Sequence, residues 1–191
     1  MSITGDDLPV QVTHIPGITR VKYTNSINQD VRLVTAGEDH LVRLLPSEPT
    51  ATDVIPLVLE DATQKISWIE ANSKYLVTAS EDGAVRLYQH ALQSEDDPQK
   101  ATSCIRMVRR EVLPVRCVSL ERATESPRAA ICSDELIIRV ANVEDPRQIT
   151  LLTGHTRGVR AASWSPILPL LVSCGSDGDI RVWDMSSSDG S

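Results

Sequence analysis

The sequence predicts an all-β protein made of four repeated antiparallel sheets, and three observations carry that expectation. Four segments resemble one another: VTAGEDHLVRLL (34–45), VTASEDGAVRLY (77–88), AICSDELIIRVA (130–141) and VSCGSDGDIRVW (172–183). Aligned on their arginines, Arg43, Arg86, Arg139 and Arg181, they lie 43, 53 and 42 residues apart. A period of about 40–45 residues built from short strands is the mark of β-propeller blades. Around each arginine the residues alternate, as in Val85-Arg86-Leu87 and Ile180-Arg181-Val182. That period of two belongs to a strand, and no useful length of chain carries a helical stripe.

Each unit reads in the same order. TRVKYT (19–24), QKISWIE (64–70), PVRCVSLE (114–121) and GVRAASWSP (158–166) supply the first strands. Short apolar runs such as LVTA (33–36) and LVS (171–173) supply the second. An acidic or acidic-glycine turn follows, GED (37–39) or SDG (176–178), where Asp and Gly provide turn hydrogen bonds and positive φ. The arginine strand is third. VIPLVLE (54–60), SCIRMVRR (103–110) and RQITLLT (147–153) are the outer strands. The polar stretch ALQSEDDPQK (91–100) accounts for the longer middle spacing as a loop. The resulting division is an outer strand and tail at 1–13, blades at 14–60, 61–110, 111–153 and 154–185, and a polar tail at 186–191. The fourth blade lacks an outer strand. LPVQVT (8–13) sits where an outer strand would, with no inner strands ahead of it. An open arc of a larger ring, usually seven blades, is therefore expected, with bare apolar faces on its first and fourth blades.

Composition narrows the function. Of 191 residues 41% are hydrophobic, but only three Trp and three Tyr are aromatic and Phe is absent. The core must rest on Val, Ile, Leu and Ala, which suits strands. A net charge of −7 argues against long-range attraction to nucleic acid or anionic lipid. The start MSITGDDLPV has no apolar stretch of a secretory signal, and no run reaches membrane-spanning length, so a soluble intracellular chain with no membrane contact is expected. Cys104, Cys117, Cys132 and Cys174 contain no C-x-x-C pair, so they read as buried, reduced thiols. His14, His40, His90 and His155 are too scattered for a metal site, and no phosphate-cradling glycine loop is present. No cofactor, metal, small-molecule substrate or catalytic residue is expected.

In the fourth unit, TGHTRGVRAASWSP and LLVSCGSDGDIRVWDM hold Gly154-His155 and Trp183-Asp184. Here the chain resembles the WD-repeat superfamily. The resemblance implies a buried hydrogen-bond network of His155, Ser173, Asp177 and Trp183, and buried imidazole, carboxylate and indole N–H groups do need such partners. The first unit has His14, Thr35 and Asp39 in register, with Leu45 in place of Trp. The second keeps Thr78 and Asp82 and has Tyr88; the third has Glu111, Ile131, Glu135 and Ala141 instead. A His–Ser–Asp set also invites a nucleophilic-triad reading. Ser173, however, lies inside a strand rather than on a strained turn, and Thr35 and Thr78 recur in its slot. The network is read as architectural.

The segment RMVRREVLPVR (106–116) is basic in an acidic chain. It reads as a charged edge strand that blocks edge pairing, or as a rim spot for phosphate or an acidic peptide. Arg110 and Arg116 are its partner-binding candidates. Ser94, in the polar loop, is a possible phosphorylation site.

A narrower likeness lies in TRVKYTNS (19–26), VTAGEDHLVRLL (34–45) and SDELIIRVANVEDPRQITLLTGHTRGVRAASWSP (133–166). These resemble the N-terminal propeller of a replisome-adaptor family, known as chromosome transmission fidelity protein four, minichromosome loss protein, SepB or acidic nucleoplasmic DNA-binding protein. The resemblance implies a non-catalytic nuclear scaffold that links helicase and DNA polymerase alpha-primase in replication and cohesion. Its partners would be replication or chromatin proteins, with direct DNA contact left open. The competing expectation is a generic WD adaptor, such as a ubiquitin-ligase substrate receptor, in nucleus or cytoplasm.

Overall fold

The computed structural model describes residues 13, 15–24, 32–46, 57–72, 74–89, 106–122 and 126–186, and among them every regular element is a strand. Blade 1 contains β1 (Ile18–Thr24), β2 (Arg32–Gly37), β3 (Val42–Pro46) and β4 (Leu57–Leu59). Blade 2 contains β5 (Ile66–Ala71), β6 (Tyr75–Ser80), β7 (Ala84–Gln89) and β8 (Arg106–Arg110). Blade 3 contains β9 (Val115–Leu120), β10 (Arg128–Ser133), β11 (Ile137–Asn142) and β12 (Ile149–Thr153). Blade 4 holds β13 (Val159–Trp164), β14 (Leu170–Gly175) and β15 (Ile180–Asp184). Each sheet runs in sequence order, and all pairings are antiparallel. No fourth strand joins β15 among the described residues. The stretch LPVQVT, on which the expected pairing depends, lies outside them except for Thr13.

The turns between the second and third strands show why acid-glycine sequences recur there. Gly83 and Gly178 have φ of 82° and 85°, a left-handed conformation that costs glycine little. A side chain at Gly83 would also collide with the Glu111 carbonyl. In blade 1 His40 takes that position with φ of 68°.

The blades stack in chain order through their first strands. Val34, Ala36, Val42 and Leu44 of blade 1 pack on Ile66 and Ile69 of blade 2. Val77, Ala79, Val85 and Leu87 of blade 2 meet Val115, Val118 and Leu120 of blade 3. Ala130, Cys132, Ile138 and Val140 of blade 3 meet Val159, Ala162 and Trp164 of blade 4. Burying one such aliphatic side chain contributes about 1.5–3 kcal/mol, so these three contacts are the main cohesive surfaces. The cysteine expectation needs one correction: Cys117 and Cys132 are buried, but Cys174 is exposed because, among the described residues, no sheet lies against its face of blade 4. Cys104 and Ser94 lie outside the described residues.

Candidate functional site

The pattern that brings the polar residues together is a β-bulge repeated near the start of every first strand. The register slips at Thr19, Ser67, Arg116 and Arg160. An extra residue in one strand re-aims its side chain, and here all four turn toward a neighbouring strand or blade. The Thr19 hydroxyl donates to the Ile66 carbonyl at 2.7 Å, and the Ser67 hydroxyl to that of Val115 at 2.6 Å. Arg116 grips Asp134 at 2.6 Å and reaches back to Glu81 of blade 2 at 3.3 Å. Arg160 donates to Ser176 at 2.6 Å and pairs with Asp134 of blade 3 at 3.1 Å. Lys65 stands 3.8 Å from both Glu38 and Glu81. Cations on incoming first strands thus meet acids on the preceding blade's turns. The Arg116 guanidinium, by hydrogen bonding, holds the Asp134 carboxyl below its usual range.

The network expected in blade 4 is assembled. His155 Nδ1 lies 2.8 Å from Asp177 Oδ2, and Nε2 lies 2.9 Å from Ser173 Oγ. The Trp183 indole N–H donates to the same hydroxyl at 2.9 Å. Burial disfavours the Asp177 anion, but N–H groups of Thr156 and Asp179 and the His155 ring outweigh it and hold its pKa at about 2. With that carboxylate ionised, Nδ1 carries the proton between them. In the neutral ring Nε2 then accepts from the Ser173 hydroxyl. Gly175 makes the approach possible: a Cβ there would stand 2.6 Å from Asp177 Oδ1 and 2.7 Å from His155 Nδ1.

This connectivity matches a Ser-His-Asp triad in order but not in setting. Ser173 is 2% exposed, it sits within β14, and its oxygen already receives the indole proton. Such a hydroxyl lacks the exposure that attack on a substrate requires. Among the described residues, no group of His, Cys, Asp or Glu is placed to hold a metal ion.

The other blades fill the same slots differently. In blade 1 Asp39 binds Arg43 at 2.7 Å and accepts from the Leu41 N–H, with Thr35 buried nearby; His14 lies outside the described residues. In blade 2 Ala62 replaces the histidine. Asp82 instead takes Arg86 at 2.7 Å and the Thr63 and Ala84 N–H groups, which overcome burial and depress its pKa well below the carboxylate range. The Thr78 hydroxyl is left buried without a partner. In blade 3 Arg139 lies between two carboxylates, Glu111 at 3.0 Å and Glu135 at 2.6 Å. Only Arg181 of the four aligned arginines pairs elsewhere, with Asp179, since His155 holds Asp177. These pairs were visible as an acid four residues before arginine in units one to three.

Of the two basic candidates, Arg116 is already bound by carboxylates of its own chain, which a free acidic peptide would have to displace. Arg110 is placed only by backbone, opposite Ala84 at the end of β8. Sequence reasoning missed a different feature on the same loop face. Val112 and Leu113 precede β9, Leu136 caps the β10–β11 turn, and all three are exposed, Val112 at 93%. Blades 2 and 4 have Thr63-Gln64 and Thr156-Arg157 in the loop, and Gly83 and Gly178 in the turn. Blade 1 has exposed Ile15 with Pro16 in the loop but His40 in the turn, so blade 3 is the blade with apolar side chains at both the loop and the turn, beside the exposed Arg157 and Arg160.

Comparisons with known proteins agree with this architecture. The WD domain, G-beta repeat, matches residues 59–89 and 146–184. Human Striatin-4 is 32% identical over 124 residues, covering 59% of this chain and 16% of its own length. WD repeat and HMG-box DNA-binding protein 1 of Xenopus laevis is 28% identical over 173 residues, 91% of this chain and 14% of the relative. Coatomer subunit alpha of Saccharomyces cerevisiae is 50% identical over 38 residues, 20% of this chain and 3% of the relative. The chain therefore carries WD40 repeats, and it spans less than a fifth of the length of these relatives. Proteins with such repeats are generally non-catalytic scaffolds for protein interaction.

Proposed function

We propose that this WD-repeat chain is a protein-binding module whose docking surface is the loop face of blade 3, and that it serves DNA replication or chromatin in the nucleus. One observation carries the surface. Val112, Leu113 and Leu136 are exposed at one end of a rigid sheet, where blades 2 and 4 present threonine, glutamine, arginine or glycine and blade 1 joins Ile15-Pro16 to a histidine turn. Loops held by a rigid scaffold are where binding residues gather. A central apolar group within a polar rim is the usual anatomy of a protein interface. The exposed Arg157 would form the basic part of that rim.

The nuclear part of the proposal has separate support. The Xenopus relative aligns with 91% of the chain, and its name describes a DNA-binding protein. Together with the resemblance of residues 133–166, this favours an adaptor that links helicase and DNA polymerase alpha-primase. The alternative, a generic adaptor such as a ligase substrate receptor, draws support from the breadth of the relatives.

The test is direct binding of the chain to purified replicative helicase, polymerase alpha-primase and duplex DNA. Binding to either protein is expected to weaken by about tenfold or more in Val112→Asp/Leu136→Asp, as for loss of an interface hot spot, with an unchanged melting temperature. No binding to any of the three would end the replication reading. Binding that ignored the substitutions would end the surface reading.

A further inference from the structure

The acidic turns of the four blades can be compared position by position. The residue five before the aligned arginine is Glu38 in blade 1, Glu81 in blade 2, Asp134 in blade 3 and Ser176 in blade 4. Each of the three carboxylates meets a cation at the start of a first strand. Lys65 stands 3.8 Å from both Glu38 and Glu81. Arg116 lies 3.3 Å from Glu81 and 2.6 Å from Asp134, and Arg160 lies 3.1 Å from Asp134. Acid and cation thus alternate from blade to blade, each cation between the acid of the preceding blade and that of its own. In blade 4 the last place is taken by a hydroxyl, which accepts from Arg160 Nε at 2.6 Å.

The two arginines show what that hydroxyl lacks. Arg116 turns its Nε and Nη2 to the Asp134 carboxylate, at 3.0 and 2.6 Å, and its Nη1 back to Glu81. Arg160 is aimed the same way, with Nη1 back to Asp134 and Nε forward to Ser176. Its Nη2, however, finds no acceptor among the described residues. A guanidinium fork fits a carboxylate or a phosphate through two parallel bonds, and one hydroxyl oxygen fills half of it.

We propose that Ser176 is a phosphorylation site, modified by an acid-directed serine kinase, and that Arg160 seats the phosphate. Ser176 is exposed and follows the end of β14 at Gly175, with its hydroxyl bonded to that exposed arginine. The position stays open beneath a following blade. Glu38, Glu81 and Asp134 keep 41, 31 and 29% of their side chains exposed although the next sheet lies against each blade. Asp177 and Asp179 come directly after Ser176, and the exposed Asp179 supplies the anionic context that such a kinase reads. Ser173, by contrast, is buried within β14 and is closed to a kinase. In the transfer, Ser176 Oγ attacks the γ-phosphorus of a nucleoside triphosphate. An O–P bond forms as the β,γ-bridging bond breaks, the hydroxyl proton passes to the kinase's catalytic carboxylate, and the nucleoside diphosphate leaves. A phosphoserine brings a charge of about −1.5 to −2 and three acceptor oxygens, enough to occupy both Nε and Nη2. Blade 4 then carries an anion where its three sisters have a carboxylate.

The test is incubation of the full chain with Mg-ATP and a purified acid-directed serine kinase, with an acidic reference peptide in the same tube to report the kinase. Peptide mass mapping should place phosphate on Ser176 in the parent and none at that position in Ser176→Ala, whose circular dichroism should be unchanged. Phosphorus NMR then reads the seat. A phosphorylated peptide of residues 171–183 keeps Asp177, Asp179 and Arg181 but lacks Arg160 and Asp134. Its phosphate should titrate near the ordinary second pKa of about 6. In the folded chain the midpoint should lie about 1 pH unit lower, as for an acid beside a guanidinium, and Arg160→Gln should close that gap. An unmodified Ser176 beside a consumed reference peptide would overturn the proposal. So would a midpoint equal to that of the peptide, or a gap that Arg160→Gln leaves in place.

Discussion

Blades 3 and 4 are neighbours with the same strand order, yet the slots between their first two strands hold opposite chemistry. Blade 4 uses an imidazole, a hydroxyl, an indole and one carboxylate. Blade 3 uses a guanidinium held between two carboxylates, one of them 2% exposed at its side chain. Both arrangements satisfy their buried groups, so the backbone tolerates either. The difference appears at the surface. Blade 4 keeps the glycine turn, whereas blade 3 carries Leu136 there and Val112-Leu113 in the adjoining loop. The blade furthest from the repeat pattern displays apolar side chains in both its loop and its turn, and that is where we place the partner.

The comparison is broken most severely by removing the shared cation of blade 3. Arg139→Met leaves Glu111 and Glu135 facing each other without their counter-ion. Breaking a buried ion pair from one side costs about 3–5 kcal/mol, so urea unfolding should show a larger loss than for any single substitution in the blade 4 network. Ser173→Ala in blade 4 is the next. It strands the His155 Nε2 and the Trp183 indole N–H, at about 1–3 kcal/mol for the groups left unsatisfied. The same denaturation series measures it, and a neutral result would mean that the two groups find another partner.

Acid should separate the blades as well. Asp177 is held at about 2, against 3.8 for an unperturbed aspartate. A depressed carboxylate stabilises the fold above its unfolded value, and that contribution is lost as pH falls through the folded one. Blade 4 should therefore loosen between pH 3.8 and about 2. Trp183 and Trp164 fluorescence monitors that region, and Asp177→Asn should flatten the dependence.

Much of the fold was legible because it repeats. Arginine spacing, alternation and acid-glycine turns located the first three strands of every blade. The expected His155, Ser173, Asp177 and Trp183 network lies in a single sheet close in sequence, which is why its members could be named from a motif. What escaped depends on how sheets stack. The bulges that aim Thr19, Ser67, Arg116 and Arg160 have no sequence mark, and Arg116 meets Glu81 across 35 positions. Cys174 looks as apolar in sequence as Cys132, and only the presence or absence of a covering blade separates them. Arg116 looked available because its partners were invisible one unit at a time.

The smallest expected effect gives the sharpest test. Thr78 occupies the Ser173 slot in blade 2, but Ala62 and Tyr88 give its hydroxyl nothing to bind. Removing an unsatisfied buried hydroxyl while keeping its shape is neutral to stabilising, by about 1 kcal/mol, or about 2–4 °C in a chain of this size. The central claim is that one slot serves different chemistry in each blade and that its value depends on partners, not on position. Thr78→Val and Ser173→Ala, unfolded by urea side by side at neutral pH, test it most directly. The account predicts opposite signs, with Thr78→Val at or above the parent and Ser173→Ala clearly below it. Equal losses in both would contradict it.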